Sequence, residues 1–277
     1  MAQAHRIDID RSDLSRLDDP SLLRSFSYVD GKWTAASDGA SLRVSNPADG
    51  SAFGSVAALG PDDSAKAVNA AQAAFEGWAA LLPQERSKIL RRWFELMGEH
   101  REDLARIMVL EQGKPISEAR GEIDYAAAFI EFYAEEAKRP NIESVTSHLP
   151  DAEVEVWREP LGVAALITPW NFPSAMITRK AAAALAAGCT VLVHPSAETP
   201  FSALALAELA ERAGLPAGVF NVITAPLTRR TGPYHALLRI HLTESSHHGA
   251  SVRNATLPAL AARHPASSRC TEIWCER

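Results

Sequence analysis

Between residues 163 and 224, three short apolar runs alternate with two alanine-rich stretches of helical length, and this pattern restricts the fold most. Val163–Thr168, Thr190–His194 and Val219–Thr224 read as buried strands. Ser174–Ala187 and Phe201–Ala213 read as helices, each followed by a glycine, Gly188 and Gly214, suited to a left-handed helix end. Strands alternating with helices need crossover connections, so they run parallel, as half of a doubly wound sheet. Such a half leaves a strand edge and an apolar face to be covered. The fold class expected is α/β: an incomplete doubly wound parallel sheet (a βαβαβ half), preceded by small hairpins and three helices and followed by an irregular tail.

Upstream, short apolar pieces around Phe26–Val29, Trp33, Leu42–Val44 and Phe53–Val56 are separated by Asp30-Gly31, Asn46-Pro47 and Asp49-Gly50. Turn residues between short apolar runs predict hairpins. Three helices follow. The first runs from Pro61 to about Ala80. The second runs from Pro83 to about Glu111, with Gly113 as its stop. The third runs from Ile116 to Lys138 and is halted by Pro140. Val154–Trp157 alternates acidic and apolar residues and predicts a further strand.

Net charge is -6 over 277 residues, which disfavours a nucleic-acid partner. Three cysteines are no disulfide framework and fit a reducing compartment. Five Asp within the first 19 residues exclude a signal peptide there, and Pro160, Pro169, Asn171 and Pro173 interrupt the longest uncharged stretch. A cytoplasmic chain with no membrane partner is expected. Residues 225–277 differ in kind: they hold seven Arg, no Lys, three Glu and five of the nine His, so they are +4 where the rest is -10. The expected division is a mobile segment at 1–21, the α/β part at 22–224 and a divergent tail at 225–277. The composition of the tail suits a shifted reading frame, which the coding DNA near codon 225 would test. Cys270 and Cys275 near His264 are too sparse a pattern to claim a metal.

In open parallel sheets, ligands bind beyond the carboxyl ends of the strands. Thr168-Pro169-Trp170-Asn171-Phe172-Pro173 lies there, its loop fixed by two prolines. Asn171 either offers its amide to a developing oxyanion or caps the helix that follows. Arg179 and Lys180 either meet an anionic substrate or line a solvated helix face. His194-Pro195-Ser196-Ala197 follows the second strand, where ribose and phosphate contacts form, although no G-x-G-x-x-G is present. His194 alone reads as a polar loop residue. Cys189 opens a strand and is expected to be a buried structural thiol.

The runs ITPWNFPSAMITRKAAAALAAGCTVLV and TPFSALALAELAERAGLPAGVFNVIT resemble an aldehyde dehydrogenase, most similar to succinate-semialdehyde dehydrogenases. LEQGKPISEARGEIDYAAAFIEFYAEEAKR and VDGKW…VSNPADG extend the resemblance over about residues 22–224. It implies oxidation of succinate semialdehyde to succinate, with a cysteine attacking the aldehyde, a glutamate activating water, and NADP or NAD accepting hydride. It implies that Asn171 is the oxyanion donor and that Arg179 binds the substrate carboxylate. Thr168, Pro169, Trp170 and Asn171 would meet the nicotinamide end of the cofactor, and His194, Pro195, Ser196 and Ala197 the adenosine ribose. Two departures fall in that last loop: His194 replaces the family's lysine, and Ala197 a glutamate frequent in NAD-preferring members. Dinucleotide binding is therefore expected to be weakened. The family's Gly-Ser loop, general base and nucleophilic cysteine do not follow residue 224, so the chain is expected to be inactive alone. The alternative is a non-catalytic fragment that pairs with a full-length homologue, as a homo- or hetero-oligomer.

Overall fold

A computed structural model describes residues 17–139, 142–148 and 153–226. Residues 1–16 of the mobile segment expected at 1–21, the tail from residue 227, and Cys270, Cys275 and His264 lie outside the described residues, whereas residues 17–21 are described and Pro20 opens a 3-10 turn.

After a 3-10 turn at Pro20–Leu22, four short strands follow: β1 (Ser27–Val29), β2 (Lys32–Thr34), β3 (Ser41–Ser45) and β4 (Ala52–Ala57). Helices α1 (Pro61–Ala79), α2 (Pro83–Glu99), α3 (Arg101–Gln112) and α4 (Ile116–Glu136) come next. A hairpin of β5 (Ile142–Val145) and β6 (Val154–Trp157) leads to β7 (Val163–Ile167), α5 (Ala175–Ala187), β8 (Thr190–His194), α6 (Pro200–Arg212) and β9 (Phe220–Val222). Pro61, Pro83 and Pro200 each stand in a first turn, where the missing N–H costs nothing.

The expected βαβαβ unit is present: β7 pairs parallel with β8, and β8 with β9. The sheet is nevertheless larger and mixed, in the order β2-β1-β9-β8-β7. β1 lies antiparallel to β9, with Tyr28 opposite Val222, so the first hairpin covers the edge expected to lie bare. Both faces are covered as well. Leu192 and Ile223 pack with Ala67 and Val68 of α1. Val191, Val193 and Phe220 face the opposite way, into a core shared with α2, α4, α5 and α6. Trp93 meets Phe220 edge-on in that core, at 5.3 Å between ring centres.

The single second helix expected from Pro83 to Glu111 is two. His100, at φ -103° and ψ 20°, leaves helical geometry and separates α2 from α3. The acidic pair Glu102 and Asp103 then sits in a new first turn, a favourable place for negative charge. Buried Asp103 accepts hydrogen bonds from the N–H groups of Asp18 and Asp19, both at 2.8 Å. That anchors the N-terminal stretch to the helix layer. At the other end of α3, Gly113 adopts φ 83°. A Cβ there would also lie 2.6 Å from Pro47, so only glycine serves.

Candidate functional site

The loops after β7 and β8 are brought side by side by strand register, with Ile167 opposite His194 and the Thr168 N–H donating to the His194 carbonyl at 3.2 Å. Thr168 is buried, while Pro169, Trp170 and Asn171 are exposed, Trp170 by 53%. The next loop begins with buried Pro195 and continues with half-buried Ser196 and Ala197. The Ser196 hydroxyl donates to the Glu198 carboxylate.

His194 is not the polar loop residue expected. It is the last residue of β8, 4% exposed, and its Nε2 hydrogen-bonds the Ala225 carbonyl at 3.0 Å. Burial lowers its pKa, so the ring is neutral at pH 7. A carbonyl only accepts, so the ring proton sits on Nε2, and buried Nδ1 finds no hydrogen-bond partner among the described residues. A terminal strand residue alternates like the rest of its strand, and position 194 points inward.

Asn171 does not cap α5. The N–H groups of Ser174 and Ala175 donate instead to Glu122 Oε1, at 3.0 and 3.2 Å. The other oxygen of Glu122 pairs with Lys114, whose Nζ also donates to the Asn171 carbonyl at 3.2 Å and lies 4.5 Å from the Phe172 ring centre. Arg179 is half-buried in the second turn of α5. Lys180 donates to the Ile167 carbonyl at 3.0 Å, closing the end of β7. Cys189 is buried as expected, its sulfur accepting from the Leu161 N–H at 3.4 Å.

Glu122 and its counterpart Glu111 were missed by sequence reasoning. Glu111 accepts from the N–H groups of Phe201 and Ser202, at 2.7 and 2.8 Å. A signal existed: both glutamates lie on apolar stripes, beside Ile107 and Met108 in one case and Ala119 and Ile123 in the other. A charge within such a stripe must be paired when buried. Helix N-termini are ready anion sites, and here those of α5 and α6 are filled by the chain's own carboxylates. A ligand at this sheet end therefore meets the loops and not the starts of these helices.

Residues 33–235 match the model of the aldehyde dehydrogenase family. A succinate-semialdehyde dehydrogenase (NADP(+)) of Escherichia coli K12 is 55% identical over 209 residues, covering 76% of this chain and 43% of the relative. A glutarate-semialdehyde dehydrogenase of Pseudomonas aeruginosa is 54% identical with the same coverage. Among solved structures, a succinate-semialdehyde dehydrogenase from Burkholderia pseudomallei superposes with a TM-score of 0.75 at 50% identity, over 76% of this chain and 44% of that one. A betaine aldehyde dehydrogenase from Staphylococcus aureus in complex with NAD+ gives 0.74 at 31% identity, over 78% and 42%. The chain thus spans less than half the length of the relatives it matches. With the family model matched over most of its length and relatives above half identity, this chain belongs to the aldehyde dehydrogenase family.

Proposed function

We propose that residues 22–224 are the cofactor-binding part of an oxidoreductase that oxidises succinate semialdehyde with NADP or NAD. The observation that carries this reading is the register of β7 against β8, which puts Ile167 opposite His194, bonds Thr168 to His194 and so brings both following loops to one end of the sheet. In this reading the exposed Asn171 amide donates to the aldehyde oxygen as negative charge develops, a role worth about 3–4 kcal/mol for a single such donor. Arg179 takes the far carboxylate of the substrate as a planar fork.

The residues present fit a nicotinamide dinucleotide, but poorly. Thr168, Pro169, Trp170 and Asn171 form a partly aromatic shelf for the nicotinamide end. The Ser196 hydroxyl and the Glu198 carboxylate suit ribose hydroxyl groups. His194 is neutral and turned towards Ala225, and Ala197 is uncharged, so neither supplies a cation for phosphate. When bound, the nicotinamide supplies a hydride acceptor. Neither dinucleotide choice nor tight binding is favoured by this loop.

This chain is expected to be inactive alone. Oxidation in this family's manner needs a thiolate at the aldehyde carbon. Cys189 is buried just before the start of β8, the end opposite both loops, with its sulfur accepting from the Leu161 N–H. The test is reduction of NADP or NAD by purified chain with succinate semialdehyde, alongside dinucleotide titration. Weak dinucleotide binding without turnover is expected. Turnover that disappears in Cys189→Ser would refute the inactive reading, and no dinucleotide binding at all would refute the cofactor role.

A second reading, a non-catalytic chain that pairs with a full-length homologue, is favoured by one observation. Among the described residues β7 pairs on one side only, and β9-β8-β7 is the 3-2-1 half of a doubly wound sheet, which continues from strand 1. Co-purification with a full-length relative, tested against the chain alone, separates the two. No helix of the described residues is long and apolar enough to cross a membrane.

A further inference from the structure

We propose that Lys114 and Glu122 are positioning residues for Asn171, fixing the direction of its side-chain amide from both flanks of the loop; this rests on the role given to Asn171 above. Neither residue belongs to the loop. Lys114 follows Gly113 in the link between α3 and α4, and Glu122 is on α4. Yet the two hold the loop at three backbone atoms within five residues: the carbonyl of Asn171 through Lys114, and the N–H groups of Ser174 and Ala175 through Glu122. Pro173 stands between the held ends and fixes its own φ. Little backbone freedom is left between Asn171 and Ala175.

The pair is enclosed. The Lys114 side chain is 9% exposed and that of Glu122 1%. Both Glu122 oxygens are used, one by the two amides and one by the ammonium. The ammonium has three donors. One goes to Glu122, one to Asn171, and the Phe172 ring face takes part of the remaining charge. Each member thus orients the other, and neither can be satisfied elsewhere without leaving a buried charge. Gly113 sets where Lys114 starts, because its left-handed backbone against Pro47 admits no other residue. The chain thereby uses its helix layer to hold an otherwise exposed loop. An exposed asparagine on a free loop would lose the pre-organisation on which charge stabilisation depends.

The test uses the full chain with Lys114→Met, Lys114→Arg and the double variant Lys114→Met with Glu122→Gln, which leaves no lone buried charge if the single change unfolds the protein. Two readouts are taken without ligand. Amide hydrogen exchange over residues 169–176 is expected to rise about tenfold beyond any change in β8, the effect of losing one charge-assisted hydrogen bond. The Asn171 side-chain amide resonance, identified by its loss in Asn171→Ala, is expected to leave its wild-type position in Lys114→Met and the double variant, and to return towards it in Lys114→Arg. Exchange in 169–176 that only tracks β8 would overturn the proposal. So would an Asn171 amide resonance unmoved in every variant, because the pair would then hold backbone without aiming the side chain. Failure of the wild-type chain to bind NAD or NADP would count against the functional reading alone, since neither readout contains a ligand.

Discussion

The two crossover helices begin in the same way and are charged differently. Both α5 and α6 have their first N–H groups taken by a buried glutamate from another helix, Glu122 for α5 and Glu111 for α6. Their own N-cap side chains, Ser174 and Thr199, make no capping bond. Glu122 has Lys114 against it, whereas Glu111 has no ion-pair partner among the described residues and senses the charge of Glu122. Burial accordingly pushes the Glu111 carboxyl up to about 8, against the hydrogen bonds from Ser202 and Phe201 that favour its charged form. The helix N-terminus carries only about half a positive charge. The difference teaches that this suffices to orient a buried carboxylate but not to replace a cation.

The comparison breaks most visibly at Glu111. Glu111→Ala leaves two buried amides without acceptors and a cavity behind them, at an expected cost of about 4 kcal/mol in urea unfolding. Lys114→Met should cost less, about 3 kcal/mol, because Glu122 keeps its two amides while losing its cation. Equal losses from Lys114→Met and a change that touches neither member of the pair, such as Leu161→Ala at a 71% exposed position, would deny the pair any special weight.

Acidity sharpens the contrast between the two glutamates. In the unfolded chain Glu111 titrates near 4.5, and in the folded chain near 8. The folded state therefore binds this proton more tightly. The contribution is complete below the ordinary glutamate value and is lost as pH rises through about 8. Stability should fall over that window and the fall should be reduced in Glu111→Gln. An unchanged slope in that variant would show that burial does not hold the proton.

The smallest effect belongs to an exposed counterpart. Lys66 pairs with Asp63 at 2.9 Å, but the Lys66 side chain is 69% exposed. Asp63 also accepts from the Ser37 N–H at 2.9 Å, which lowers its pKa even with its cost of burial. Lys66→Ala should cost at most about 0.5 kcal/mol, and less in high salt. A loss comparable to that of Lys114→Met would remove burial as the deciding variable.

Periodicity carried most of the fold into view. The strands of the parallel unit and the helices α1, α4, α5 and α6 lie where apolar spacing and their flanking glycines or prolines put them, within the usual drift of helix ends. What stayed hidden was long-range or satisfied by distant partners. β1 joins β9 through residues nearly two hundred positions apart, and no local pattern encodes such a pairing. The break at His100 has neither proline nor glycine at the hinge itself, and the bonds that Asp103, three residues on, accepts from Asp18 and Asp19 are to partners more than eighty positions away. The loops beyond β7 and β8 were legible as a place, from topology. Their support by Lys114 was not, because a lysine after a helix-ending glycine looks like any solvated cation. The inward turn of His194 was equally invisible, since a polar residue closing a strand reads as belonging to the loop that follows, even where the strand is drawn to include it.

The closure of the sheet by β1 has a consequence for synthesis. Ser27 bonds to Thr224 across 197 positions, and Thr224 in turn donates to Ala57 at 2.5 Å, so the N-terminal hairpins are locked by residues made last among those described. Such contacts give a high contact order and slow folding. At ordinary translation rates, roughly 10–40 s separate the appearance of β1 from that of β9. During that interval β1 has β2 alone, and two strands are marginal in water. A ribosome-bound chain stopped before residue 220 is expected to keep this hairpin unpaired on the side that β9 later fills.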